Sequence, residues 1–594
     1  MVRLNTGHTL QRLLALVARL LCLGFLLLLA ACDNPFAASA HPAATSTSAP
    51  AYTCTAHSST PVTLTLAYTT EKQAWMKDVV DSFNQQHLSA CDGPITVQTI
   101  PNDGSGQSMQ GIANGIIKPD IWSPAGNVWL TLLNQQWQQK YGTNIVGTSA
   151  NENPSLVKSP VVIAMWKPMA EALGWPTKAI GWSDIARLST DSRGWAAYGH
   201  PEWGDFKFGH TNPDQSNSGL DAVIAENYAA VGKLRGLTSN DVNTASTREF
   251  VSNVESSIIH YGESTGTFAS EMFTRGPSYL SAAVMYENLV VEANNGQFAK
   301  QMAYPAVAIY PAEGTFYSDH PFALLHASWV TPAISAAAQL FRDYLLAPAR
   351  QQKALQYGFR PGVGSIGAPI DATHGVDASQ PTTLLQVPVA SVVNVVKSSW
   401  NQQRRKVDVM LIIDHSGSMN DPVGGTTKIV GARQGLAEFV NLLGNLDDVG
   451  LTSFSDAESV LSPMSPVGPK RQGVLNAING ITAGGQTLLF DTIYSQFQQL
   501  QTFSSKNIKA IVVLTDGVDD ASTLKVAQLV QKITPAGNNA GEGIKVFTIA
   551  YGDSQGSGVD VNALKQIATT TGGQEYAGTP QNIKQVYLDI SQFF

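Results

Sequence analysis

Apolar residues recur along this chain in two different periods, and the periods alternate. VTLTLAY, Val62 to Tyr68, sets branched apolar residues between threonines, as a strand does; Trp75, Val79, Val80 and Phe83 then repeat at spacings of three and four, as a helix does. The alternation continues through ITVQTI, a helical pattern at Met109, Ile112, Ala113 and Ile116, the short PDIWSP, and the apolar SPVVIAMW. A helix from Ser216 through Leu220, Ile224 and Tyr228 follows, then LSAAVMYENLV, VAIYPAEGTFYSDHPFALL and the helical ISAAAQLFRDYLLAPARQQKALQYGF. Strands and helices taken in turn predict an α/β domain. Turn residues gather from Gly362 to Pro381, one more apolar segment follows, and the polar NQQRRK marks a boundary.

Beyond that boundary the pattern changes character. VDVMLII, IKAIVVLT and IKVFTIAY are apolar almost without interruption, which is the mark of strands covered on both faces of a parallel sheet. Amphipathic helical patterns separate them, one at Ile429, Ala432, Leu436, Phe439, Val440 and Leu443, another at Leu488, Ile493, Phe497 and Leu500. This predicts a second, doubly wound α/β domain, of the kind that binds ligands at the carboxyl ends of its strands.

The N-terminus belongs to neither domain. Arg3, Arg12 and Arg19 precede an apolar run from Leu20 to Ala31 that ends on Leu29-Ala30-Ala31-Cys32, the layout of an export signal. Arg19 leaves about 12 continuous apolar residues against the roughly 20 that span a bilayer. The cleavage region resembles the bacterial lipobox, which implies lipid on Cys32 and an anchor in the cell membrane. Residues 1–31 are thus expected as the signal, 32–60, rich in Ala, Ser, Thr and Pro, as a disordered tether, 61–400 as the first domain and 401–594 as the second. Of the four cysteines, Cys54 and Cys91 fall on the exported side, where a disulfide forms and persists.

A net charge of -8 supplies no basic footprint, which speaks against a nucleic-acid partner. No HExxH, GxSxG, P-loop or CxxC pair is present, and no base is paired with a serine, so the chain reads as a binder and not an enzyme.

In the first domain, NDGSGQSMQGIANG and FGHTNPDQSNSGLDAVIAENY place glycines and hydroxyls at helix starts, where unpaired N–H groups and a partial positive charge favour anions. Each stretch alone is equally read as ordinary capping. The order of LTLAYTTEKQAWMKDVVDSFNQQ, GSGQSMQGIANGIIKPDIWSP, SPVVIAMWKP, FGHTNPDQSNSG and LLAPARQQKALQYGFRP resembles the two-lobed periplasmic solute-binding proteins of ABC importers, the molybdate- and sulfate-type group. The resemblance implies a ligand cleft between lobes, with Thr69, Ser105, Gly106, Ser108, Ser216, Asn217 and Ser218 as contacts and Tyr286 and Glu287 as further candidates. It also implies an ABC permease as partner. Trp75, Trp122, Trp129 and Trp166 are more aromatic bulk than a small anion needs; they stack on a sugar or organic ligand, or they pack the core.

In the second domain, Asp414, Ser416 and Ser418 stand just past a strand end in DHSGS, Thr487 stands at a helix start behind two glycines in GGQT, and Asp516 ends another strand in TDG. Two carboxylates and three hydroxyls are hard oxygen donors, the set that suits Mg²⁺ and also admits Mn²⁺ or Ca²⁺. These residues resemble the metal-ion-dependent adhesion site of von Willebrand factor A domains over about Lys406 to Phe594. That family implies an open coordination position filled by a carboxylate from a partner protein. His415 reads as an exposed loop residue, Asp456 and Glu458 as a solvated hairpin region, and Asp519 and Asp520 as a solvated loop or as groups that support the ligands from behind. The chain is therefore expected to join solute capture or sensing to cation-dependent protein binding. The alternatives are an importer's capture component, or a surface scaffold whose first domain binds no solute.

Overall fold

The computed structural model describes residues 59–100, 104–298, 302–505, 507–534, 543–552, 558–591 and 593. The signal, Cys32, nearly all of the tether and Cys54 lie outside these residues; Cys91 is disulfide-bonded. Among the described residues no helix is long and apolar enough to cross a membrane.

The first domain is built on two sheets, one per lobe. In the first lobe the strand Val62–Tyr68 lies parallel to Gly93–Thr99 on one side and Ile121–Ser123 on the other. Helices Gln73–Asn84 and Pro332–Leu346 pack on this sheet through Trp75, Val79, Phe83, Ala337 and Phe341, with Phe83 edge-on to Phe341 at 4.8 Å. In the second lobe the long strand Val157–Trp166 pairs antiparallel with Ala282–Tyr286, Ala306–Ile309, Tyr317–Ser318 and Arg360–Pro361. Phe208–Thr211 runs parallel to both Ala282–Tyr286 and Ile258–Gly262. The chain returns to the first lobe at Ala323–Leu324, which pairs with Ile121–Ser123.

Two details depart from the pattern. The apolar stretch after Ile334 is two helices, Pro332–Leu346 and Pro348–Gln356, because Pro348 lacks the N–H that would continue the first and Ala347 before it is held extended. The polar Asn401, Gln402 and Gln403 are helical as well. They complete a linker helix, Ala390–Gln403, which buries Val392, Val393, Val396 and Trp400 against the second lobe. Only Arg404, Arg405 and Lys406 separate it from the next strand.

The second domain is a six-stranded sheet in the order Glu458–Pro466, Asp448–Phe454, Val407–Asp414, Ile508–Thr515, Lys545–Tyr551, Glu575–Gly578. All neighbours are parallel except the edge strand Glu458–Pro466. The strand Val407–Asp414 shows why such strands read as unbroken apolar runs. Val407, Val409, Leu411 and Ile413 enter one core, while Met410 and Ile412 enter the other. Each contributes about 2 kcal/mol of burial.

The exception on that strand is Asp408, fully buried, whose carboxylate accepts from Asn507 Nδ2 at 2.7 Å and from the Ser505 hydroxyl. Parallel register sets Asp448 opposite it. Burial, with Asp408 alongside, pushes the Asp448 carboxyl up to about 6. A raised carboxyl binds its proton more tightly in the fold than in the unfolded chain, so its contribution is present below the ordinary value near 4 and is lost as pH rises through 6. Asp448→Asn is expected to raise the melting temperature of the second domain by about 2 °C at pH 8 and to change it little at pH 4. Thermal unfolding across that range checks this, and a variant no more stable at pH 8 refutes the cross-strand repulsion.

Candidate metal centre and solute cleft

At the carboxyl end of the central strand the backbone turns and three loops meet. Asp414 is fully buried; one oxygen accepts from Ser416 N at 2.7 Å and the other from Thr515 Oγ1 at 2.6 Å. Burial pushes its carboxyl up to about 6 despite those donors. Ser416 Oγ lies 3.2 Å from Ser418 Oγ, which donates to Asp516 at 2.8 Å. The other Asp516 oxygen accepts from Lys428 Nζ at 2.8 Å. Four of the five oxygen-bearing residues singled out in the sequence are thus joined through short contacts, and a lysine not singled out is joined to them.

Thr487, buried, belongs to the third loop. Its neighbourhood is set by close backbone approach: a Cβ on Gly517 would stand 3.1 Å from Thr487 Oγ1. The loops are stitched by Gly417 N to Gly485 O at 2.9 Å and Gly484 N to His415 O at 2.7 Å, with Gly485 at φ +95, a conformation glycine adopts freely. The acidic residues read as solvated have definite partners. Asp520 accepts from Thr487 N at 2.7 Å, Asp519 from Leu489 N at 2.9 Å, Asp456 from Gln486 N at 2.9 Å, and Glu458 from Ser495 Oγ at 2.9 Å. The first three hold orphan N–H groups around the start of helix Leu489–Thr502, as caps do. Thr487 therefore precedes that helix by two residues and does not open it. His415 is partly exposed, with Nδ1 3.1 Å from Thr482 O.

In the first domain the expected contacts lie where the lobes meet, and they are buried against one another. Gly106 N donates to Gln215 O at 2.7 Å across the seam. A Cβ on Gly106 would stand 2.1 Å from Asp214 O, so this glycine serves close approach of the lobes. Ser105 Oγ accepts from Ala125 N at 3.0 Å, and Ser108 Oγ accepts from Trp122 Nε1 at 3.0 Å. Ser216 and Ser218 share Thr265 at 3.1 and 2.9 Å, with Thr211 Oγ1 a further 2.8 Å from Ser218. Asn217 accepts from Trp129 Nε1 at 3.0 Å and donates to Asp221 at 2.7 Å and to Tyr286 OH at 3.2 Å. The four tryptophans are fully buried, so their faces are core packing while two indole N–H groups reach the seam.

Glu287 stands outside this set: Arg360 grips both its oxygens at 2.8 and 2.6 Å, and Tyr310 donates to it. Thr69 joins a buried charged knot that pattern reading missed. Lys72 Nζ lies 2.7 Å from Thr69 Oγ1, 3.0 Å from Glu71 and 3.1 Å from His320 Nδ1. Burial opposes charge on Glu71, yet Lys72 and His320 outweigh it and hold that carboxyl below its usual range. Burial, then Lys72, presses His320 down to about 4.

Beside Asn217 lies a cavity of about 350 Å³ lined by Asn127, Thr131, Asp221, Tyr317, Asp319 and Pro388 among others. Burial raises both Asp221 and Asp319, and among the described residues neither is ion-paired. The cavity is acidic.

A family model described as bacterial extracellular solute-binding protein matches residues 64–360, and the von Willebrand factor type A domain model matches residues 408–590. UPF0353 proteins of Mycobacterium tuberculosis and Mycobacterium bovis are 24% identical over 207 residues, 32% of this chain. The chain spans 61% of the length of these curated relatives. Similar solved structures include a von Willebrand factor type A protein from Catenulispora acidiphila, 20% identical with TM-score 0.27, covering 32% of this chain and 42% of that one. A periplasmic thiamin binding protein is 12% identical with TM-score 0.43, covering 59% and 98%. The periplasmic binding protein AfuA from Actinobacillus pleuropneumoniae is 13% identical with TM-score 0.40, covering 57% and 98%. The first family match covers half of the chain, and the protein belongs to the bacterial extracellular solute-binding family, with a von Willebrand factor type A domain carried behind that module.

Proposed function

We propose that this protein acts outside the cytoplasm, anchored by lipid on Cys32, where it captures a small organic solute in its first domain and binds a protein partner through a divalent cation in its second. The observation that carries the second half is the meeting of Asp414, Ser416, Ser418 and Asp516 within hydrogen-bond distances at the ends of adjacent parallel strands, with Thr487 beside Gly517. The donor set fits a hard cation such as Mg²⁺. Ser416, Ser418 and Thr487 would supply hydroxyls, and Asp414 and Asp516 carboxylates. When bound, the ion supplies a positive centre that a partner's Asp or Glu completes. The chain's own residues prepare it: Thr515 and the Ser416 N–H hold both oxygens of Asp414, and Lys428 occupies Asp516 as an internal counter-ion.

The solute reading rests on the acidic cavity. Two buried carboxyls without ion-pair partners among the described residues disfavour an oxyanion, one of the classes left open by the sequence beside a sugar or organic ligand, and favour a ligand rich in N–H or O–H donors, such as an amine or a polyol. An ABC permease as consumer of that solute belongs to the same reading.

Two outcomes follow. Asp414→Ala should abolish Mg²⁺ binding measured by calorimetry, whereas Lys428→Met should tighten it on the order of tenfold, because one competing charge–charge contact is removed. Unchanged affinity in Lys428→Met would refute its role as counter-ion. For the solute, thermal-shift screening should find stabilisation by amines or polyols and none by sulfate or molybdate, and Asp221→Asn should remove it. Stabilisation by the oxyanions would overturn the reading, and no stabilisation by any small solute with Mg²⁺ binding intact would leave the first domain as a scaffold.

A further inference from the structure

A third cluster of ligating groups lies in the core of the second lobe, apart from both sites above. A ring nitrogen of His210, one oxygen of Glu226 and one of Glu255 all lie within 4.8 Å of one another, and all three residues are fully buried. They come from three elements: the strand Phe208–Thr211, the helix Asn217–Val231 and the end of the helix Ala245–Glu255.

The hydrogen bonds fix the chemistry each group offers. His210 Nδ1 lies 2.7 Å from the Thr211 carbonyl, which only accepts, so Nδ1 carries a hydrogen. Nε2 lies 3.0 Å from Glu255 Oε1: it donates there when it carries a hydrogen of its own, and offers its lone pair to a cation when it does not. Glu255 already receives Trp400 Nε1 at 3.0 Å and Tyr261 OH at 2.5 Å, as an ionised carboxylate does. Both oxygens of Glu226 are buried and have no hydrogen-bond partner among the described residues. Burial first, then Glu255, drives its carboxyl well above the ordinary range. Arg404, four residues on from Trp400, is engaged by Asp447 at 2.5 Å. Two carboxyl groups and an imidazole nitrogen therefore converge on one buried point, where Glu226 has no hydrogen-bond partner among the described residues. A divalent ion would neutralise both carboxylates and satisfy Glu226 at once, and an imidazole with two carboxylates is a donor set for Zn²⁺ or Mn²⁺.

We propose that His210, Glu226 and Glu255 form a closed, structural site for a divalent transition-metal ion in the second lobe. The Thr211 carbonyl orients His210, while Tyr261 and Trp400 orient Glu255, the supporting contacts such ligands take in metal sites. Trp400 belongs to the linker helix and the Arg405 N–H donates to Tyr261 OH at 3.2 Å, so the ion would also tie the linker to the lobe.

The test uses the full chain in detergent, carrying Asp414→Ala to remove the other cation site, purified without chelator and equilibrated with Zn²⁺ or Mn²⁺. Elemental analysis should find about one transition-metal ion per chain, and Glu226→Gln in the same background should lower that at least tenfold. X-ray absorption at the metal edge should show an imidazole among oxygen neighbours. Absence of metal in the Asp414→Ala chain overturns the proposal and leaves the carboxylates neutralised by protons. Metal retained in full by Glu226→Gln overturns it too, because the ion then sits elsewhere. Should Glu226→Gln fail to fold, the absorption spectrum of the Asp414→Ala chain decides: an imidazole shell supports the site, and a shell without nitrogen refutes it.

Discussion

A carboxylate taken out of water must be met by donors or cations within hydrogen-bond reach, and that demand organises both domains. The parallel strands of the second domain are apolar on both faces, so polar chemistry is displaced to their ends, and Asp414 is tolerated there because Ser416 N and Thr515 supply a donor to each oxygen. Asp516 is answered by Ser418 and Lys428, Glu287 by Arg360, and Glu71 by Lys72. Against this background Glu226 stands out, since among the described residues no group donates to it.

What was legible in the sequence follows the same division. Asp414 and Asp516 each close an apolar run, and Ser416 and Ser418 follow Asp414 directly in the turn, so their meeting follows from the rule that open α/β sheets gather ligands at strand ends. Lys428 carries no such signal. A lysine opening an amphipathic helix is ordinarily solvated, and only the fold sets it against a carboxylate 88 positions away. The glycine- and serine-rich helix starts at Ser105 and Ser216 were legible as special, but not their purpose, because Gln215 answers Gly106 only once the lobes meet, and Thr211 and Thr265 answer Ser216 and Ser218 only once the second lobe is folded. Lys72 and His320, 248 residues apart, and the His210 cluster, drawn from three elements, belong to the same class.

The helix Asn217–Val231 connects these observations. Asn217 and Asp221, one turn apart, face the seam and the acidic cavity, whereas Glu226, five residues further on, reaches His210 and Glu255 on the other side. A helix apolar and buried nearly all round can carry polar groups on opposite faces only where each face meets a dedicated polar environment. Its sequence, NSGLDAVIAENYAAV, places them accordingly.

The linker helix Ala390–Gln403 completes the circuit. Its first residue lines the acidic cavity, its Trp400 bonds Glu255, and three residues beyond its end the chain enters the strand that finishes on Asp414. A flexible tether between domains would have few buried side chains and a polar composition. This connection instead buries four apolar side chains against the second lobe and is pinned beyond its end by Arg404 to Asp447 and by the Arg405 N–H to Tyr261. The cavity, the buried cluster and the central strand of the second domain therefore lie along one continuous chain segment, whose course is set by its packing on the second lobe and not by a free tether.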